Sequence, residues 1–254
     1  MFFVVLGLLV LVPTLGWGTV SMANSLGHST ETASLSFGRG LTSIVVRVGS
    51  GRVTVRGADR DDVVAERTIE RSLQAPTVTE RIDGSTLRLE GTCTNLATFW
   101  CEVSYVLDVP RGTTVDVESG SGSLSVSSVD GDVRADSGAG SIQLDRIGGR
   151  ITADSGAGSI RATELRGTVA AASSGAGSIR LQFLEAPTMV TAHAGAGSVD
   201  VEVPHGEESY RVLNTEGLNL FRGKGDTVTI ALDADSPRRI EVDSGAGSVK
   251  VHYP

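Results

Sequence analysis

Helical periodicity is missing from almost the whole chain. After Asn24, no window of about 12 residues keeps the spacing of three to four positions that lines apolar residues along one helix face. Aromatic residues are also scarce, at 4% of 254 residues, whereas glycine occurs 32 times. A helical bundle is therefore excluded for this region, and so many glycines need a structural reason, because glycine weakens the interior of strands and helices.

Positive charge is the next shortage. Only Lys224 and Lys250 are lysines among the 22 basic residues, and the excess of acids gives a formal net charge of -8. Nucleic acids and anionic lipids bind basic surfaces, since basic side chains displace the counterions of the phosphates. The composition therefore argues against nucleic acid as a partner.

The chain also lacks the short motifs of nucleotide binding and covalent catalysis. Its repeated G-x-G pairs never extend to a G-x-G-x-x-G motif, and no G-K-[ST] sequence of a phosphate-binding loop is present. The G-x-S-x-G motif that would expose a nucleophilic serine is missing too. We therefore expect no cofactor and no enzymatic activity.

Cysteine occurs only at Cys93 and Cys101, which flank a stretch of seven residues. In an exported chain, such a pair favours a disulfide. In the chain-entropy model, closing so short a loop stabilises the fold by roughly 2 to 3 kcal/mol. A tetrahedral zinc site needs a second pair of ligands, which the neighbouring sequence does not supply. The prediction is a disulfide and no structural metal.

The first 30 residues carry no charged side chain, and 2–12 is an almost unbroken apolar run. If a helix continues to about Val20, it reaches the ~20 residues that span a bilayer, which predicts a single-pass membrane anchor. Alternatively, the segment is a signal peptide cleaved after Ala23, and the protein is secreted. Both interpretations make 1–24 an apolar helix and 25–34 a linker, and both place the following domain outside the cytoplasm.

A short glycine motif recurs along the rest of the chain as S-G-S-G-S, S-G-A-G-S or A-G-A-G-S, with an earlier copy, V-G-S-G-R, that begins at Val48. The first glycines of the later copies are Gly120, Gly138, Gly156, Gly175, Gly195 and Gly245. Each copy stands between two runs of alternating apolar and polar residues, which is typical of strands with one buried face. Stacked copies would merge these apolar positions into one core.

The repeat therefore predicts an all-β fold over 35–254, namely a single-stranded, β-helix-like β-solenoid with coils of about 18–20 residues. The glycines would form a corner of each coil, where a bend needs positive φ or close approach of neighbouring backbones. Two stretches break the period. We interpret 57–110 as longer strands that cap the first coils and contain the disulfide, and 204–240 as an insertion made of a loop and one strand.

An acidic column lies two residues before the first glycines, at Glu118, Asp136 and Asp154. Carboxylates in stacked coils would lie about 4.8 Å apart, close enough to repel or to share a cation such as calcium. Paired acids could also catalyse cleavage of a polysaccharide. The structural alternative is that acids favour corners because they bond to nearby backbone amides, and it explains the recurrence without a metal.

Taken together, the apolar N-terminal segment, the V-L-D-V-P strand end and the G-x-V-x-x-x-[ST]-G-x-G-[ST]-[IV] repeats resemble the bacterial "putative adhesin" family of repetitive β-solenoid domains. The resemblance covers about 40–254 and implies a cell-envelope protein, often anchored in the membrane, with no catalytic or binding residues to carry over.

We expect a non-enzymatic surface or envelope protein that binds an unknown macromolecule or has a structural role. The alternatives are a membrane-anchored component of envelope-stress regulation or scaffolding and, less favoured by the residues, a β-helix enzyme that acts on polysaccharides. Anchor deletion distinguishes the first two, because a secreted adhesin should still bind its target without the anchor.

Overall fold

The computed structural model describes residues 29–72, 75–93, 100–214 and 225–254. The predicted apolar helix, and with it the anchor or signal segment 1–24, lies outside the described residues. The described ranges contain 21 strands. None of the residues in those ranges belongs to a helix long and apolar enough to cross a membrane.

In chain order, the strands are β1 (Ser29–Arg39), β2 (Ser43–Ser50), β3 (Val53–Ala58), β4 (Asp62–Arg71), β5 (Thr77–Asp83), β6 (Thr86–Thr92), β7 (Cys101–Pro110), β8 (Thr114–Ser121), β9 (Leu124–Val129), β10 (Val133–Ala139), β11 (Ile142–Ile147), β12 (Ile151–Ala157), β13 (Ile160–Leu165), β14 (Val169–Ala176), β15 (Ile179–Phe183), β16 (Met189–Ala196), β17 (Val199–Glu202), β18 (Arg211–Leu213), β19 (Thr227–Thr229), β20 (Arg239–Ala246) and β21 (Val249–His252).

These strands form two sheets. Sheet A has the order β1-β4-β7-β3-β9-β11-β13-β15-β17-β21-β19, and sheet B has the order β18-β20-β16-β14-β12-β10-β8-β2-β6-β5. Each coil gives one strand to each sheet, and the coils that carry the glycine motif pass from sheet B to sheet A through the glycine corner. The all-β solenoid predicted from the repeat is therefore present in the described residues.

Equivalent positions of successive coils lie side by side. Strands β10 and β12 run parallel, with Val133 opposite Ile151 and Ala135 opposite Ala153, and all four side chains are buried. Between the two sheets, such columns form one continuous apolar core. A single coil could not bury its apolar face alone, so the fold depends on stacking.

The first glycine of each corner is required by close approach of the coils. A Cβ on Gly156 would lie 2.5 Å from the carbonyl oxygen of Gly138, and the same contact recurs with 2.5 to 2.7 Å in the other copies. The backbone at Gly156 does not have a left-handed φ. Of the two reasons that the sequence offered for these glycines, close approach of backbones is the one that applies to Gly156.

Left-handed backbone occurs at the second glycine of several copies, for example at Gly122 (φ 141°) and Gly177 (φ 153°). It also occurs at the opposite corner of the coil, where Ser128, Arg146 and Glu164 have φ values of 58°, 54° and 54°. These three residues are equivalent in successive coils, so the turn after sheet A repeats as regularly as the glycine corner.

Buried serines connect the glycine corners. The hydroxyl of Ser137 donates a hydrogen bond of 3.1 Å to the carbonyl of Gly122 one coil earlier, and Ser174 donates one of 2.9 Å to Gly158. Ser119, Ser155 and Ser244 repeat this bond. Ala194 occupies the same column and lacks the hydroxyl. The S-G-A-G-S motif thus combines a serine that bonds the coils with glycines that allow their approach.

At the N-terminal end, the order of the coils in the stack differs from their order in the chain. β6 and β7 stack outside β2 and β3 as a further parallel coil, after which β8 and β9 continue on the other side of β2 and β3. β4 and β5 then cover this outer coil in antiparallel orientation, and β1 pairs with β4 at the edge. The stretch 57–110 therefore holds both a coil and its cap, and β1 begins at Ser29, inside the interval 25–34 predicted to be a linker.

A polar cluster is enclosed in this cap. Arg67 of β4 lies 2.6 Å from Glu80 of β5, and the hydroxyl of Tyr105 donates a 3.3 Å bond to the same carboxylate. Burial raises the pKa of Tyr105, and the charge of Glu80 raises it further. The disulfide Cys93–Cys101, with a Cα separation of 6.0 Å, joins the end of β6 to the start of β7 in the same region.

The C-terminal end repeats the outward path. β18 pairs with β20, and β19 pairs with β21, both in parallel orientation, so the stretch 204–240 supplies two short outer strands rather than the single strand predicted there. The coil of Gly245 is therefore not the last of the stack. Its strand β20 lies between β16 and β18.

Candidate functional site

The acidic column lies on the outer face of sheet B. Parallel pairing places Glu118 opposite Asp136, and Asp136 opposite Asp154. The column continues to Arg47 in one direction and through Ser173 to His193 in the other. The ladder of acids in neighbouring coils that the repeat predicts is therefore present.

Arginines neutralise two of these acids. The Nε atom of Arg47 donates a 3.0 Å hydrogen bond to Glu118, and Arg134 lies 3.2 Å from Asp136. Both pairs are largely exposed to solvent, where an ion pair contributes less than about 1 kcal/mol. The repulsion expected between Glu118 and Asp136 is thus reduced by cations from the same sheet face.

Within the described residues, no ion pair of 4.0 Å or less joins Asp154 to a cation. Burial raises its pKa, the charge of Asp136 raises it further, and Arg134 lowers it. In the ranges that the structure describes, no group of three or more histidine, cysteine or acidic side chains is arranged to hold a metal ion. Calcium binding by the column at Glu118, Asp136 and Asp154 therefore has no support beyond the stacking itself.

The far end of the column contains a second polar pair. The Nδ1 atom of His193 lies 3.1 Å from a carboxylate oxygen of Asp243, and both side chains are partly exposed. A histidine and an acid also occur in catalytic triads, but a triad needs a nucleophile that the imidazole can reach. The next residue in the column is Ser173, for which no hydrogen bond to His193 is formed in the described structure.

A groove of about 380 Å³ lies on the outer face of sheet A, and sequence reasoning missed it. Its charged residues come from one column of the sheet. The column contains the cations Arg161 on β13, Arg180 on β15 and Lys250 on β21, and the acid Asp200 on β17 between the last two. We call it the basic groove, and define it by these four residues and the serine two positions before each of them, namely Ser159, Ser178, Ser198 and Ser248. An alignment of the residues two positions after the last serine of each glycine motif would have revealed this column of charges.

Asp200 is the acid of the basic groove, and it is engaged by two neighbours. Arg180 donates to one carboxylate oxygen at 3.0 Å, and His252 lies 2.9 Å from the other. The second ring nitrogen of His252 is 2.6 Å from the carbonyl oxygen of Tyr253. Because each bond requires a proton on its nitrogen, the bond to Tyr253 raises the pKa of His252, and Asp200 raises it further.

A second groove of about 500 Å³ lies near the N-terminal end of the same face. Arg56, Glu66 and Asp108 line it, and Arg56 lies 3.9 Å from Asp108. Its charges are therefore mixed and partly paired. The basic groove is different, because cations exceed acids there.

Tyr210, in the 204–240 stretch, is buried, with 1% of its surface accessible. It packs in the core cluster at the C-terminal end. It is therefore part of the end of the core and not of an exposed binding surface.

Two stacked sheets of mainly parallel strands, linked coil by coil through glycine corners, define the class of this protein as a two-sheet β-solenoid. The chain belongs to the Toastrack DUF4097 family, whose model matches residues 41–253. The family match confirms the resemblance seen in the sequence. No curated protein matches the chain.

Solved structures are similar to the chain at low identity. A putative adhesin from Bacteroides fragilis is 14% identical, with a TM-score of 0.41, and the match covers 88% of this chain and 97% of that one. A putative adhesin from Parabacteroides merdae is 11% identical, with a TM-score of 0.36 and coverages of 88% and 96%. A putative cell adhesion protein from Clostridium sporogenes is 10% identical, with a TM-score of 0.35 and coverages of 89% and 100%.

Proposed function

We propose that the protein is a non-enzymatic module of the bacterial cell surface or envelope that binds another macromolecule through an outer face of its solenoid. The observation that carries this proposal is the in-register stack. From β8 to β16, each strand of sheet B pairs in parallel with its neighbours, so outward side chains form straight columns. Such columns give a rigid, repeated surface that suits an extended partner.

The disulfide supports an extracytoplasmic location. Cys93 and Cys101 are bonded to each other, and stable structural disulfides are typical of oxidising compartments. The segment 1–24 agrees with this location both as an anchor and as a signal peptide, and the choice between them stays a prediction. Sequencing the N-terminus of the mature protein decides it.

The contacts of the acidic column favour binding or structural roles over catalysis. Glu118 and Asp136 each lie beside an arginine and occupy the same position of successive repeats. A catalytic pair is expected to depart from the repeat, with one acid kept protonated and the other ionised by different environments. Burial raises the pKa of Asp154 and the charge of Asp136 raises it further, so its regular position in the repeat accounts for the shift.

The proposal is tested by comparing cells that carry the full-length chain with cells that carry none, for retention of envelope polymers and host-surface polymers. We expect retention that depends on the chain, with no shortening of the bound polymer. A polymer that is cleaved by the wild type, but not by a folded Asp136→Asn, Asp154→Asn variant, would instead identify an enzyme.

A second comparison addresses the regulatory alternative. Replacing 1–24 by a cleaved signal peptide should release a domain that still binds its target. If the released domain binds nothing and the cells lose an envelope-stress response, the chain acts as an anchored regulator and the binding proposal is wrong.

A further inference from the structure

The basic groove departs from the repeat at the column where it lies. On the N-terminal side, the same column holds the neutral residues Thr54, Ser125 and Gln143. From β13 onward, it holds Arg161 and Arg180 in neighbouring strands. The repeat does not require cations at this position, since earlier coils fold with neutral side chains there.

The adjacent arginines also carry an energetic cost. Like charges directly opposite each other on neighbouring strands destabilise a sheet. The ion pair with Asp200 balances the charge of Arg180. Within the described residues, no ion pair of 4.0 Å or less joins Arg161 or Lys250 to an acid. Both side chains are exposed. The groove thus contains two exposed cations, Arg161 and Lys250, that can pair with the acids of a ligand.

Serine hydroxyl groups form a second column beside the cations, which also runs from strand to strand across sheet A. The backbone N–H of Ser178 donates to the hydroxyl of Ser159 at 3.2 Å, and that of Ser198 donates to the hydroxyl of Ser178 at 3.2 Å. A serine hydroxyl that accepts such a bond keeps its own hydrogen as a donor. The two hydroxyls are therefore held in place, about one strand spacing of 4.8 Å apart, with donors for an outside acceptor.

We propose that the basic groove binds a linear polysaccharide that carries carboxylates, which names the ligand class for the surface-binding function above and rests on that function. The guanidinium of Arg161 matches a planar carboxylate with two parallel N–H bonds. Lys250, three strands further along the column, binds a second carboxylate of the same chain. Ser159 and Ser178 bond to sugar oxygens between them.

The groove fits this polymer better than a nucleic acid. Single-stranded nucleic acids bind where aromatic side chains stack on the bases, and none of the described residues that line this groove is aromatic. The serine hydroxyls that border the groove instead match the sugar oxygens of a carboxylated polysaccharide.

The experiment titrates the full-length chain, kept in detergent micelles, with polygalacturonate, and follows heat release or fluorescence. The test variant is Arg161→Gln with Lys250→Gln. The matched control is Arg81→Gln with Arg211→Gln, which removes two exposed arginines from the end strands β5 and β18 of sheet B and changes the net charge equally; neither arginine forms an ion pair within the described residues. A neutral methyl-esterified polymer serves as the second control.

We expect the wild type to bind polygalacturonate and to bind the esterified polymer weakly. The affinity of the groove variant for polygalacturonate should fall about tenfold for each cation removed. A hydrogen bond to a charged group contributes a free energy that corresponds to at least about a tenfold change in affinity. The control variant should bind like the wild type. Arg161→Lys should fall between the wild type and Arg161→Gln, since it keeps the charge but loses the planar fork.

Three results would overturn the assignment: no binding of polygalacturonate, equal losses in the groove and control variants, or tighter binding of polyphosphate or DNA than of polygalacturonate. Melting temperatures of all variants show whether each is folded. If cells that carry the chain retain another polymer while polygalacturonate fails, the ligand class is wrong and the surface-binding function stands. If neither is retained, both are wrong.

Discussion

Replacing Gly156 by alanine tests whether close approach of the coils explains the corner glycines. A Cβ at this position would lie 2.5 Å from the carbonyl oxygen of Gly138, about 0.9 Å short of the 3.4 Å at which ordinary contact begins. Strands β10 and β12 cannot separate by that amount without weakening their hydrogen bonds, because the bonds hold neighbouring strands about 4.8 Å apart.

The magnitude follows from two opposing effects. Overpacking a tight site costs typically about 1–3 kcal/mol of unfolding free energy. Removing a glycine also restricts the unfolded chain, which returns about 0.4–1 kcal/mol. The net expected loss lies between about 0 and about 2.6 kcal/mol, with a midpoint of about 1.3 kcal/mol. At about 2–4 °C per kcal/mol for a chain of this size, the melting temperature should fall by roughly 3–5 °C at the midpoint and by up to about 10 °C.

Gly112 provides the matched control. A Cβ added there meets no atom within 4 Å, and its φ is not left-handed, so only the effect on the unfolded chain applies. Gly112→Ala should keep or slightly raise the melting temperature, measured by circular dichroism or calorimetry under the same conditions. If Gly156→Ala melts at or above the temperature of Gly112→Ala, close approach is not the reason for the corner glycines.

Three further predictions concern single side chains. Ala194→Ser should raise the unfolding free energy by up to about 1 kcal/mol in denaturant titrations, because the new hydroxyl reaches the carbonyl of Gly177 as its neighbours in the column do; a loss would show that the serine bonds do not stabilise the stack. Asp154→Asn should raise the melting temperature at pH 7, since burial raises the pKa of Asp154 and its ionised form is disfavoured, and the gain should vanish as the pH falls through that pKa. For His252, the raised pKa means that its stabilisation is fully present below about pH 6.5 and is lost as the pH rises through the folded-state pKa; melting curves from pH 5 to 9 should show this loss in the wild type and not in His252→Gln.

The repeated part of the fold could be predicted from the sequence because its contacts join equivalent positions. Alternation identifies the buried positions, and the glycine motif fixes the register, as in the pairing of Val133 with Ile151. The same register predicts the acidic column. It also reaches Arg47, two residues before Gly49 in the first copy, so the ion pair with Glu118 could have been inferred by extending the column.

The two ends could not be predicted in this way. β6 and β7 follow β2 and β3 in the chain but stack on their outer side, away from β8 and β9. β18 and β19 precede β20 and β21 in the chain but stack beyond them at the C-terminal end. Periodicity tells which residues face the core and does not tell on which side of the stack a coil is added. In 204–240, the predicted strand is present as β19, whereas the second strand, β18, was missed for this reason.

The basic groove escaped prediction for a different reason. Residues of one kind recur at the positions before the glycines, which makes the acidic column visible in the sequence. Arg161 and Lys250 instead stand in a column whose residues change from neutral to charged partway along the stack. In a repeat protein, residues shared by all copies mainly maintain the stack, and residues present in only some copies are free to serve a ligand. The change from Gln143 to Arg161 is therefore more informative about function than the acids that recur, because folding alone does not account for it.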